Sequence, residues 1–99
     1  MSENCMRPIH PGEVLREEFL MPLDMRAHAL AQALRVPAPR INDIVRERRG
    51  VSADTALRLA RYFGTTPEFW LNLQRAFDLK KAMEASGERI AREVQPRAA

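Results

Sequence analysis

The stretch on which the fold turns is Arg26-Ala27-His28-Ala29-Leu30-Ala31-Gln32-Ala33-Leu34-Arg35-Val36-Pro37-Ala38-Pro39-Arg40-Ile41-Asn42-Asp43-Ile44-Val45-Arg46-Glu47. Leu30 and Leu34 fall four apart beside Ala27 and Ala31, the spacing of a short helix with a narrow apolar stripe. Pro37 cannot continue that helix. A second helix is predicted from about Ala38 to Glu47, with Ile41, Ile44 and Val45 as its inward face. Two helices joined by a turn of three or four residues cross steeply, so the residue at their contact must be small, and Ala31 is. The positions ten and thirteen residues further on must be apolar to seal the second helix on the first, and they are Ile41 and Ile44. Residues 26–47 therefore read as a helix-turn-helix, a pattern that isolated helical hairpins also satisfy.

Charge singles out the same region. The chain of 99 residues has a net charge of only +3, but five arginines (35, 40, 46, 48 and 49) face only Asp43 and Glu47 between residues 35 and 49. The remaining residues balance, so all of the excess positive charge lies in one short stretch. On its own such a stretch also fits a solvated helix face; beside the hairpin pattern it points to a polyanionic partner.

The flanks complete an all-α chain. Pro11 suits a first helical position, Glu13 favours the positive helix end and Ile9 can staple onto Val14, so a helix begins near Pro11 and ends before Pro22. Gly50-Val51-Ser52 reads as a turn into an N-cap, opening a helix whose Ala56, Leu59, Ala60 and Phe63 share one face and which Gly64 stops. Thr66-Pro67 repeats the start signal for a fifth helix carrying Phe69, Trp70, Leu73 and Phe77, expected to reach Ala85 and break at Ser86-Gly87. The segment from Glu88 to Val94 then adds at most a marginal turn or two. This is one domain over residues 1–99, with a core at about 9–85 and tails at 1–8 and 86–99.

With Ile41, Ile44 and Val45 inward, Pro39, Asp43 and Arg46 occupy the centre of the opposite face of the helix, Arg40 and Glu47 one flank and Asn42 the other. Arginine pairs bidentately with guanine, asparagine with adenine, and aspartate accepts from cytosine, so Arg40, Asn42, Asp43 and Arg46 are candidate base readers in a major groove. Ala38 and Pro39 are placed to touch a thymine methyl, and Arg48 and Arg49, beyond the helix, to hold phosphates. The bland alternative for Arg40 is an ion pair with Asp43 or Glu47, which specifies nothing. One recognition helix reads about half a turn of duplex, which favours a two-fold pair of chains; Leu79, Met83, Ile90 and Val94 are the candidate interface residues, or else a loosely packed tail.

From Arg7 to about Met83 the chain resembles the HigA family of antitoxins, within the lambda-repressor-like helix-turn-helix class. The resemblance is carried by His10-Pro11-Gly12-Glu13 with Leu15 and Glu18-Phe19, by Arg40-Ile41-Asn42-Asp43-Ile44-Val45, by the run from Ser52 to Ala60, and by Pro67-Glu68-Phe69-Trp70-Leu71-Asn72-Leu73-Gln74. It implies a five-helix fold, a homodimer on operator DNA (a palindrome), repression of the chain's own operon, and neutralisation of a toxin of the HigB or RelE type, which cleaves mRNA on the ribosome. This chain departs from the family pattern at four places. Arg35 and Glu47 stand where glycine is common, and Arg26 and Pro37 where a Ser or Thr cap is common. A lost cap costs about 1 kcal/mol, so the two helices of the motif are expected to be softened unless Asp24 caps the first.

Other function classes find little purchase. His10 and His28 are far apart in sequence, without metal-ligand spacing, a carboxylate pair or a Gly-rich phosphate loop, so no catalytic residue, metal or cofactor is assigned and no enzyme is expected. His28 reads as an exposed helix residue. The spacing of Phe69, Trp70, Leu73 and Phe77 makes them core, within the chain or shared with a dimer partner, rather than a stacking platform for bases. No apolar run is long enough for a membrane helix and the start has no signal-peptide core, so a cytoplasmic, nucleoid-associated protein is expected, for which Met6 is an alternative start. Cys5, alone, is given no role. A stand-alone transcription regulator without a toxin, or a module that never meets DNA, fits the same residues.

Overall fold

A computed structural model describes residues 7–98, whose regular secondary structure is all helical; Cys5 and Met6 lie outside it. Helix α1 starts as an α-helix at Pro11–Val14 and continues as a π-helix at Leu15–Leu20. It is followed by α2 (Ala27–Leu34), α3 (Ala38–Val45), α4 (Ala53–Phe63) and α5 (Pro67–Glu93). No helix among the described residues is long and apolar enough to cross a membrane.

The expected starts and stops hold where a side chain or a proline dictates them. Ser52 accepts from the Thr55 amide and Thr66 from the Phe69 amide, Pro11 and Pro67 open their helices, and Gly64 closes α4 in the left-handed region at φ 74°. The π-helical part of α1, in which Met21 N–H donates to the Arg16 carbonyl five residues back, aligns residues five apart, so Leu15 and Leu20 are both buried.

Two helix ends depart from expectation. The motif's second helix stops at Val45 rather than Glu47, because Arg46 already leaves helical geometry and Glu47 turns left-handed at φ 62°. The fifth helix does not break at Ser86-Gly87 but runs on to Glu93, so most of the supposed 86–99 tail is helical. Glycine inside a helix costs about 1 kcal/mol, which lowers stability without forcing a stop; proline removes a bond and clashes, and the next proline is Pro96. At 27 residues α5 is about 40 Å long and projects past the other helices.

The core forms where α1, α2, α3 and α4 converge on the start of α5. Leu30, Ala31, Leu34, Ile41, Ile44, Ala56, Leu59 and Trp70 are all buried there, with Phe19, Val36, Val45, Phe63 and Leu73 packed against them. Of the aromatic set on α5, Trp70 is fully enclosed, its indole N–H donating to Thr65 Oγ1 at 2.8 Å, whereas Phe77 is half-buried and Phe69 sits at the rim of a ring cluster with Phe19 and Trp70.

The His10-Pro11-Gly12-Glu13 run gains its physical reason here. The buried His10 imidazole caps α1, its Nδ1 accepting from the Gly12 amide at 2.8 Å, and its ring meets Phe77 of α5 edge-on at 4.8 Å. Gly12 faces the end of α3, where a Cβ would collide with the Ile44 carbonyl. Burial lowers the His10 pKa below its ordinary 6.5; Glu47 and Asp78 oppose the shift and Arg16 adds to it. Folding thus favours neutral His10, which alone can accept the capping bond. Its contribution is complete above about pH 7 and is lost as pH falls through the unfolded value near 6.5 towards the folded one. Denaturant melts of the parent should therefore lose stability as pH falls below about 7, and His10→Asn, which caps without titrating there, should show a flatter profile. Equal slopes for parent and variant would refute the cap.

Candidate nucleic-acid interface

The motif is built around one small contact. Ala31, Ile41 and Ile44 are fully buried where α2 and α3 cross, as the spacing requires. That seal turns the other side of α3 outward. Pro39 and Arg46 are exposed, and Asn42 and Asp43 are half-exposed on either side of them. Ala38, by contrast, packs against the core, so of the two apolar residues assigned to a thymine methyl only Pro39 stands on the open face.

The arginines divide by partner. Arg46 and Arg48 are exposed, and neither guanidinium makes an ion pair among the described residues. Arg49 lies 3.4 Å from Asp43. Arg40 is half-buried, and its expected alternative partner was wrong: neither Asp43 nor Glu47 holds it, but Asp54 of α4 does, at 2.7 Å. Glu47 instead faces Arg16 of α1 at 3.4 Å, while Arg16 also donates to the Val45 carbonyl at the end of α3. Sequence reasoning missed Asp54, Arg58, Arg16 and Gln74. Gln74, on α5, accepts from the Val51 amide at 2.7 Å through Oε1 and so fastens the arginine-bearing loop to the long helix. These partners stand 14 to 31 residues apart, beyond any local spacing rule.

The two positions at which glycine is common in the family both prove left-handed, Arg35 at φ 62° and Glu47 at φ 62°. Asp24 is left-handed too, at φ 50°, and caps nothing: α2 and α3 both start without a side-chain cap. His28 is exposed, and no group of three or more His, Cys, Asp or Glu residues able to hold a metal ion occurs among the described residues. The four candidate interface residues of α5, Leu79, Met83, Ile90 and Val94, are 59, 60, 48 and 63% exposed, Val94 just past the last helical residue.

Comparison with known proteins fits this geometry. The helix-turn-helix family profile matches residues 15–70. A solved structure of the Pseudomonas aeruginosa antitoxin HigA with the higBA promoter is 56% identical, covering 93% of this chain and 100% of that one with a TM-score of 0.90. The chain belongs to the helix-turn-helix family, among the HigA antitoxins. Antitoxin GraA in complex with its operator is likewise 56% identical to this HigA-family chain, over the whole of both chains, with a TM-score of 0.90. Virulence-associated protein I of Dichelobacter nodosus is 62% identical over 80 residues, 81% of this chain and 74% of that protein.

A non-glycine residue in the left-handed region carries roughly 1 kcal/mol of strain. Arg35→Gly should accordingly raise the melting temperature by about 4–8 °C, as measured by calorimetry. A fall in melting temperature would show that Arg35 contributes more through its side chain than its backbone costs.

Proposed function

We propose that this HigA-family chain is an antitoxin that represses its own operon by binding operator DNA as a homodimer and that neutralises a toxin of the HigB or RelE type. The observation that carries the DNA half of this reading is the division of α3: two isoleucines fully buried, and a polar, arginine-bearing surface open opposite them. In that reading Arg46, Asn42 and Asp43 read base edges, Arg40 reads from the flank, Pro39 approaches a thymine methyl, and Arg48 and Arg49 grip phosphates. The names of the relatives, antitoxins with a promoter or an operator, support the same assignment. The chain's work is binding rather than catalysis, in the cytoplasm at the nucleoid.

Pairing of two chains has its own support. Leu79, Met83 and Ile90 fall within about 40° of one another at helical spacing, on a largely exposed part of α5, and Val94 follows just past its end. An isolated helical overhang is marginal in water without a packed face, and a second copy of the same stripe supplies one. A dimer then presents two α3 helices to half-sites about 34 Å apart.

Footprinting on the DNA upstream of the chain's own gene, with and without the neighbouring toxin candidate, tests the whole reading. Two protected half-sites and a co-purifying toxin are expected; a protein indifferent to every duplex at low salt would overturn it. Arg46→Ala should relax preference at one base pair at a cost of about 1–3 kcal/mol, whereas Arg49→Ala should weaken all duplexes alike and reduce the salt slope by about 1. Met83→Glu should shift the sedimentation mass from two chains to one and weaken operator binding with it, and a mass unchanged from the parent would exclude the α5 stripe as the interface.

A further inference from the structure

Among the described residues, Asp54 is the one acidic residue that engages two arginines around the motif. A single oxygen, Oδ2, accepts from Arg40 Nη1 at 2.7 Å and from Arg58 Nε at 2.8 Å. Arg58 in turn donates through Nη1 to the Leu34 carbonyl at 2.8 Å, the last residue of α2. Both helices of the motif are thus tied to α4, α2 by its final carbonyl to Arg58 and α3 by Arg40, on the flank of its outer face, to Asp54. Asp54 is 56% exposed at its side chain, so these pairs add little to stability. Their consequence is electrostatic and geometric. Hydrogen bonds from Arg58 first and Arg40 second hold the Asp54 carboxyl below its ordinary range, and the helix start favours its charge as well, so at neutral pH it is an anion beside two cations.

We infer that Asp54 sets operator specificity from outside the recognition helix, by tethering Arg40 in one orientation and cancelling part of its charge, so that Arg40 reads bases rather than gripping any phosphate within reach. The inference rests on the DNA-binding reading above. Sequence-independent affinity grows with each cation free to neutralise a phosphate, while base reading needs a donor fork held in place. A free Arg40 serves the first at the expense of the second. With Asp54 in place, two guanidiniums beside the outer face of α3 share one counter-charge, and Arg40 approaches the duplex already aimed.

The test is a salt titration of binding to two duplexes, the DNA upstream of the chain's own gene and a shuffled duplex of the same composition. Asp54→Asn should bind the shuffled duplex severalfold more tightly, with a salt slope steeper by about 1. The ratio of upstream to shuffled affinity should fall by about tenfold, within the range lost with one base contact. Asp54→Glu, which keeps the charge, should retain most of the parent's ratio. If Asp54→Asn melts early, Asp54→Ser, suited to a helix first turn, carries the same expectation. A purely structural role would weaken both duplexes together without steepening the slope, and that result overturns the inference. A parent that discriminates between the duplexes, with an Asp54→Asn variant matching it in ratio and slope, also overturns it while leaving the DNA-binding reading intact. A parent that binds neither duplex sinks both.

Discussion

The contact of α3 with its neighbours is the constraint from which the rest of the molecule follows. Ile41 and Ile44 are buried against α2, where Ala31 leaves room for the crossing, and α1 approaches from the other side so closely that Gly12 meets the Ile44 carbonyl. One short helix is thereby clamped on two sides, which determines which of its faces is left for solvent. The outward position of Pro39, Asp43 and Arg46 is the geometric remainder of that packing.

Around the clamp the charged residues act as spacers more than as stabilisers. Arg16 from α1 reaches the last carbonyl region of α3 and Glu47, Arg58 from α4 reaches the end of α2, and Asp54 joins Arg58 to Arg40. Each of these pairs is exposed or half-exposed and individually weak, yet each ends on a helix terminus or on the flank of the outer face, where position matters more than energy. α2 and α3 start without side-chain caps and are held by their buried faces, while at its other end the last carbonyl of α2 receives a guanidinium donor.

The long helix α5 does two things along its length. Its first turns carry Trp70 into the core and Gln74 to the loop of arginines, and its last turns leave the domain and expose an apolar stripe. In the proposed dimer, a rod that touches the arginine loop at one end and offers the pairing stripe at the other would give the spacing between two recognition helices a mechanical basis.

Much of this was legible in the sequence. Local chemistry specifies helix starts at Pro11, Ser52 and Thr66, a stop at Gly64, and the small and apolar positions at 31, 41 and 44, because proline geometry, capping and helical period act over a few residues. The antitoxin resemblance, too, rests on runs that can be read without coordinates. Tertiary structure alone decided that Arg40 is held by Asp54, that Gln74 holds Val51, that His10 caps α1 against Phe77, and that α5 continues through Gly87. The first three join residues up to 67 positions apart, where spacing along the chain carries no information about distance in space. The last is a balance between a modest glycine penalty and the helix around it, and such a balance is settled by the whole helix rather than by the residue that tempts it to end.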